Sequence, residues 1–314
     1  MTADTVESSA FVHSAFFYDS DQGYLDELLP LITDGLAAGE PVAAMVPGEN
    51  LALLRRALGS TAEQVYMVDM AEAGRNPGRI IAGVLRSFAD EHQDRHVRII
   101  GEPVWPARTE AEYPACAQHE ALINAAFEGR DITIVCPYDV TGLDAAALED
   151  ARATHPLVCD GGRHVGSADY DPGAIFARYN ESLERAPDVA SYAVTSVADL
   201  HRARRFATDY AQVMRLSPDL IDDLALIATE LVTNSLLHTD GSGALSLWQD
   251  DGHLVCEVRD EGRLSDPLAG RRPAALGQPN GRGLLLVNDL ADLVRQHFSD
   301  QGTTIRAYLQ LNHA

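Results

Sequence analysis

The sequence contains no lysine, and all 24 of its basic residues are arginine. That absence excludes several chemistries at once. Walker-A loops contact phosphate through a lysine, eukaryotic-type protein kinases use a strand lysine, and Schiff-base enzymes need the amine itself. A chain of this composition that handles ATP does so without lysine. Only four cysteines occur, Cys116, Cys136, Cys159 and Cys256, and no two form a Cys-x-x-Cys pair. A reducing compartment without disulfides is the expectation. Cys116 and His119 have a spacing that suits a metal on a helix, but an isolated thiol near a histidine is the plainer reading. No run approaches about 18 consecutive apolar residues, so no transmembrane helix and no membrane partner are expected. The opening residues Met1, Thr2, Ala3 and Asp4 have neither a basic n-region nor an apolar h-region. No secretory signal is legible there, and a cytoplasmic location is expected.

Basic surface is also scarce. Against 24 arginines stand 47 acidic residues, for a net charge of −23. Residues 1–186 carry 13 Arg and 30 acids (−17), and residues 187–314 carry 11 Arg and 17 acids (−6). Such a field repels duplex DNA unless a local patch outweighs it. The short runs Arg202, Arg204, Arg205 and Arg271, Arg272 make no such patch, so no direct nucleic-acid partner is expected. Protein partners with basic surfaces fit the charge.

With 314 residues the chain has room for two domains of about 100–200 residues each. From residue 11 to 180, strand-like runs alternate with helical patterns. The strands are Ser14 to Tyr18, Pro41 to Val46, Gln64 to Val68, Val97 to Gly101 and Asp131 to Pro137. The helices are Tyr24 to Ala38, Asn50 to Leu58, Pro77 to His92 and Tyr113 to Phe127, with a further one from Gly173 to Glu184. This alternation predicts an α/β domain built on a mainly parallel sheet. Pro187 and Asp188 mark the boundary, giving domains of 1–186 and 187–314. No internal repeat is present, which excludes a solenoid.

The second half predicts a two-layer α/β sandwich. A helix from Val197 to Met214 precedes Ser217-Pro218, an N-cap serine with proline at the first helical position. The next helix runs to about His238, with Leu220, Leu224, Ile227 and Leu231 on one stripe. Two alternating runs, Ala244 to Gln249 and Leu254 to Arg259, read as a hairpin around Asp250-Asp251-Gly252. A Pro/Gly/Arg-rich loop then spans Glu261 to Asn280. A helix follows through Leu284 to Leu293, and a strand from Thr303 to Leu311 closes the chain.

Polar residues interrupt the long helix at Glu230, Asn234 and His238. A spacing of four puts them on one face, beside the buried stripe. Polar groups there need partners, or burial costs free energy. A carboxylate and an amide together can hold a hydrated Mg²⁺ and take a nucleophile's proton; a half-exposed polar face is the bland alternative. Asp260 closes the second hairpin strand, where a carboxylate can accept a hydrogen bond from an amino group such as that of adenine. Gly262 follows, where a missing Cβ lets a ligand ring approach; an ordinary Asp-Glu-Gly turn explains the same residues. Gly281 and Gly283 precede a helix N-terminus, which favours phosphate, though a hinge or cap would also use glycine. Each element is weak alone, and the four in order are strong.

In that order, Glu230-Leu-Val-Thr-Asn234, Val258-Arg-Asp260-Glu-Gly262, Gly281-Arg282-Gly283-Leu284 and Gly302-Thr303-Thr304 resemble the boxes of the gyrase/Hsp90/histidine-kinase/MutL ATPases. The likeness is closest to their small branch, the anti-sigma-factor serine/threonine kinases, and covers residues 190–314. The resemblance implies a histidine kinase-like ATPase sandwich with ATP and Mg²⁺ as cofactors. It implies Asn234 as the Mg²⁺ ligand, Glu230 as general base and Asp260 with Gly262 at adenine. It further implies Gly281, Arg282 and Gly283 at the phosphates and lid, with Thr303 in the nucleotide site. The implied partners are a sigma factor and a STAS-type anti-sigma-factor antagonist, and related domains often form homodimers. No phosphoacceptor histidine box is present. Leu264 stands where the family usually has a second glycine, which favours an alternative: a non-catalytic module that sequesters sigma factor or antagonist.

The first half resembles a second family, the MEDS sensory domain. The likeness lies in His13-Ser14, Phe17-Tyr18, Leu36-Ala-Ala-Gly39-Glu40-Pro41, Gly101-Glu102-Pro103, Glu120 with Asn124, and Cys136-Pro137-Tyr138. It implies an α/β sensory fold and a small-molecule ligand or a partner. His13, Glu102 and Tyr138 are expected near strand ends, where open α/β sheets place their ligand crevices. A metabolic enzyme in residues 1–186 is a further reading, and no nucleophile–base pair is legible there to carry it.

Overall fold

A computed structural model describes residues 11–239, 243–263, 266–273 and 281–311, with only the backbone at His238. It divides into two compact units, Met1–Arg75 with Val84–Phe176, and Asn76–Gly83 with Ala177–Ala314.

The first unit holds β1 (Phe11–Tyr18), α1 (Asp21–Ala37), β2 (Val42–Val46), α2 (Gly48–Leu58), β3 (Tyr66–Asp69) and the short α3 (Met70–Ala73). The short turn α4 (Pro77–Arg79) follows in the chain, then α5 (Arg86–Asp90), β4 (Val97–Gly101), α6 (Tyr113–Ala126), β5 (Ile132–Asp139) and α7 (Ala145–Thr154). β6 (Leu157–Asp160), β7 (Arg163–Gly166) and α8 (Pro172–Arg178) come next. The sheet order is β3-β2-β4-β5-β1-β6-β7, parallel throughout except for the β6–β7 hairpin. β2 is buried along its whole length, as an apolar run in a doubly covered parallel sheet must be. Side chains alternate between faces. Phe16, Val42, Ala44 and Val46 pack with Tyr24, Leu28, Ile32 and Leu54 of α1 and α2. His13, of the opposite parity, meets Asn124 of α6.

The expected single helix over Pro77 to His92 is divided. Ile80–Leu85 is π-helical between α4 and α5, in a stretch where Gly78 and Gly83 contribute little helix propensity. The β6–β7 hairpin was not expected from the sequence. Its strands have four residues each, and its Gly161-Gly162 turn adopts φ of 56° and 74°.

The second unit is a two-layer sandwich. It contains β8 (Ala190–Val194), α9 (Leu200–Val213), α10 (Pro218–His238), β9 (Gly243–Asp250), β10 (His253–Asp260), α11 (Gly283–Leu290), β11 (Leu293–Ser299) and β12 (Gly302–Gln310). The antiparallel order is β11-β12-β10-β9-β8. Ser217 caps α10 by accepting from Leu220 N–H at 3.3 Å. The stripe Leu220, Leu224, Ile227 and Leu231 joins Ala203, Ala207, Leu284 and Val287 over Leu247, Cys256, Val258 and Ala307. The last helix is shorter than expected. It ends at Leu290, Ala291 turns extended, and the apolar run from Leu293 pairs with β12 instead.

The other sheet face is polar yet covered. Glu257 is fully buried, accepting from Arg259 Nε at 2.6 Å and from Arg306 Nε and Nη2 at 2.8 and 2.6 Å. The helix expected to reach Glu184 stops at Arg178, and the following segment crosses this face. The Asn180 side chain exchanges two hydrogen bonds with the Phe298 backbone. Leu183 and Glu184 carbonyls accept from Arg259 and Arg306, and Arg185 reaches Ser246. The guanidinium groups of Arg259 and Arg306 thus satisfy the Leu183 and Glu184 carbonyls, which have no helical partner here.

Candidate functional site

α10 brings Glu230 and Asn234, both half-buried, to the face toward α11 and the sheet ends. Gly283, the first residue of α11, sits on Glu230: a Cβ at Gly283 would stand 2.5 Å from Glu230 Oε2. A side chain at Gly283 would have to displace the Glu230 carboxylate. One turn further along α10, Asn234 Nδ2 is buried and has no hydrogen-bond partner among the described residues. Its neighbour Ser235 is 2 % exposed, and its Oγ is likewise unpartnered. A Cβ at Gly243 of β9 would lie 2.5 Å from that Oγ and 3.4 Å from Asp260 Cβ.

Asp260 ends the central strand between Gly243 and Thr303. Its Oδ1 accepts from Gly262 N–H at 2.9 Å, and Thr303 Oγ1 donates to the Gly262 carbonyl at 2.8 Å. The loop after β10 is therefore fastened to the start of β12. Gly281 lies in the left-handed region at φ 99°, and Gly281 and Arg282 are exposed just before α11.

The fold thus brings Glu230 to Gly283, and Ser235 to Asp260, which is tied in turn to Gly262 and Thr303. Buried donors without acceptors cost free energy, so Asn234 and Ser235 fit a site completed by a bound group. An amide offers both a donor and a cation-binding oxygen, and a carboxylate beside it suits Mg²⁺ with phosphate. The residues present fit Mg-ATP. Ser235 was missed in the sequence because its packing against Gly243 depends on the α10–β9 contact. Leu264 and residues 274–280 of the expected loop lie outside the described residues, as does the His238 side chain.

The first unit holds two buried polar clusters. Glu102, just past β4, accepts from Asn50 Nδ2 at 3.0 and 2.9 Å, from Tyr18 at 3.3 Å and from Tyr24 at 3.4 Å. It sits at the carboxyl ends of the strands, as expected. Burial pushes its carboxyl up to about 7 against these hydrogen bonds, and burial beside Glu102 raises the Tyr18 and Tyr24 hydroxyls. A carboxyl of this kind stays protonated in the folded chain where the unfolded one has ionised. Stability contributed by Glu102 is therefore complete below its ordinary value of 4.5 and lost as pH rises toward about 7. The loss is about 3 kcal/mol in all. The histidines and Glu120 of the neighbouring cluster also titrate in this range, so the test is the difference: between pH 4.5 and 8 the wild type should lose about 3 kcal/mol more unfolding free energy than Glu102→Gln, and parallel pH profiles would contradict it.

The second cluster is His13, Glu120, Cys136 and His155. His13 is the third residue of β1 and lies inside the strand, not at its end as expected. Tyr138 lies near the end of β5 and donates to Glu120 Oε1 at 3.1 Å. Burial holds the His13 and His155 imidazoles down to about 3. It also raises the Glu120 carboxyl and the Cys136 thiol. His155 was not singled out in the sequence, because it follows α7 and is remote in the chain from β1.

Comparison with known proteins accords with both halves. Residues 12–156 match the model of the MEDS family, the methanogen/methylotroph, DcmR sensory domain. Residues 194–309 match that of the histidine kinase-like ATPase domain. No curated protein matches. Among the solved structures that match is the crystal structure of the RsbU and RsbW domains of Rv1364c from Mycobacterium tuberculosis. It aligns at 19% identity over 41% of this chain and 34% of that one, with a TM-score of 0.31. This chain therefore spans about a third of that protein's aligned chain. The chain carries a MEDS sensory domain followed by a histidine kinase-like ATPase domain.

Proposed function

We propose that the chain is a regulatory anti-sigma factor with ATP-dependent serine/threonine kinase activity. Residues 187–314 bind Mg-ATP and phosphorylate a STAS-type anti-sigma-factor antagonist, and residues 1–186 sense the signal that sets this activity. The observation that carries the reading is Gly283 packed on the Glu230 carboxylate, one turn from the unpartnered Asn234 amide.

In this scheme Asn234 holds Mg²⁺ through its amide oxygen. When bound, the ion neutralises charge on the phosphates. Asp260 accepts from the adenine amino group, with Gly262, Thr303 and Ser235 shaping that end. Gly281, Arg282 and Gly283 lead into the α11 N-terminus, whose free N–H groups suit phosphate. Glu230 takes the proton of the antagonist's hydroxyl as its oxygen bonds to the terminal phosphorus. The bond to the bridging oxygen breaks, and ADP leaves. The net charge of −23 supports a sigma factor as partner, through basic surfaces that otherwise meet DNA. Its affinity should fall as ionic strength rises.

The full chain, given terminally labelled Mg-ATP and the antagonist, should leave label on an antagonist Ser or Thr. Glu230→Gln should keep ATP binding and lose transfer. The second reading, sequestration without turnover, is favoured by Leu264. It predicts stable capture of sigma factor or antagonist with no label from the wild-type chain, and that result would displace the kinase reading.

A further inference from the structure

The sensory unit contains a second constellation that the nucleotide chemistry does not use. Four elements deliver it: His13 from β1, Glu120 from α6, Cys136 from β5 and His155 from the turn after α7. All four side chains are buried, and their ligand atoms lie within 4.8 Å of one another. Glu120 Oε2 is 3.6 Å from His13 Nε2 and 3.5 Å from His155 Nε2. Cys136 Sγ is 3.6 Å from His13 Nε2. Around a tetrahedral zinc, nitrogen or oxygen donors at about 2.0–2.1 Å stand about 3.3 Å apart, and a sulfur at about 2.3 Å stands about 3.6 Å from a nitrogen. These three separations are close to those of such a shell, and the remaining ones, all within 4.8 Å, would close on a bound ion.

The surroundings aim the donors inward. His13 Nδ1 is 3.2 Å from Asn124 Oδ1, and His155 Nδ1 is 2.8 Å from the Ala151 carbonyl. Those acceptors take the Nδ1 proton and leave Nε2 of both rings as a lone pair, as ligating histidines require. Tyr138 holds the other Glu120 oxygen. Among the described residues, Glu120 Oε2 and His155 Nε2 lack a hydrogen-bond partner in the conformation seen.

We propose that His13, Glu120, Cys136 and His155 form a closed, four-ligand site for a divalent transition-metal ion, with zinc as the ion that fits best. One thiolate, one carboxylate and two neutral imidazoles cancel a dication, so the buried site is electrically neutral when filled. The mixed nitrogen, sulfur and oxygen set suits zinc rather than calcium or magnesium. Four protein ligands leave no open position, so the ion joins β1 and β5 to the helical layer rather than activating water.

The full chain, isolated without chelator from zinc-containing medium, should hold about one zinc per molecule by elemental analysis. Replacement by Co²⁺ should give the intense visible bands of tetrahedral cobalt and a thiolate charge-transfer band. Cys136→Ser should remove the charge-transfer band. Asn124→Ala, which leaves all four ligands in place, should weaken zinc affinity by about 10–100-fold against a competing chelator. A folded wild-type chain that takes up neither ion in stoichiometric amount would overturn the proposal. So would a thiolate band that survives in Cys136→Ser, or unchanged affinity in Asn124→Ala.

Discussion

Asn234→Ala is expected to lower phosphoryl transfer to the antagonist by at least about a hundredfold, because a metal clamp on phosphate contributes several kcal/mol to such a reaction. The side chain is half-buried on α10, one turn from a carboxylate on which α11 begins. Its Nδ2 donates to no partner among the described residues. Removing it therefore costs the fold little, since no internal hydrogen bond is broken, and the loss falls on the bound state. Raising Mg²⁺ should recover part of the rate, whereas it should not rescue Glu230→Gln. Transfer rates measured across a Mg²⁺ series, with circular dichroism as a folding control, check this. A rate unchanged in Asn234→Ala would remove the residue from the metal's surroundings.

Gly302→Ala should destabilise the ATPase unit by at least about 3 kcal/mol, the cost of left-handed strain together with a backbone collision. Gly302 has φ 139°, and a Cβ there would stand 2.0 Å from the Asp260 carbonyl oxygen. That oxygen belongs to the strand end that carries Asp260, the residue proposed to meet adenine, and the collision is with backbone, which cannot rotate away. The β11–β12 turn must open or β10 must shift, and either displaces Asp260 from Thr303. Urea unfolding should show a lowered midpoint, and nucleotide affinity should fall with it. An unchanged midpoint would mean that the turn relaxes freely.

Much of this arrangement is legible in the sequence, and the reasons differ by element. Glu230 and Asn234 are recognisable because polar residues beside an apolar helical stripe demand an explanation. Asp260, Gly262, Gly281 and Gly283 follow because glycine and acid positions at element ends carry physical meaning in order. The central parallel strands show as apolar runs between helical patterns. Other features depend on tertiary packing. Glu257 and Arg259 look like the solvent side of an alternating strand, yet Glu257 is fully buried by Arg306 and by the segment after α8. β11 shares its apolar run with the end of α11, where periodicity cannot separate helix from strand. His155 gains its meaning only when β1, β5 and α6 meet it.

The central claim is that the second unit forms a working Mg-ATP site. Calorimetric titration of ATP into the full chain, with Mg²⁺ and with chelator, tests it most directly. Saturable binding of one nucleotide per site that depends on Mg²⁺, and that Asn234→Ala loses, is the predicted result. Absence of binding to a folded chain at millimolar Mg-ATP would contradict it.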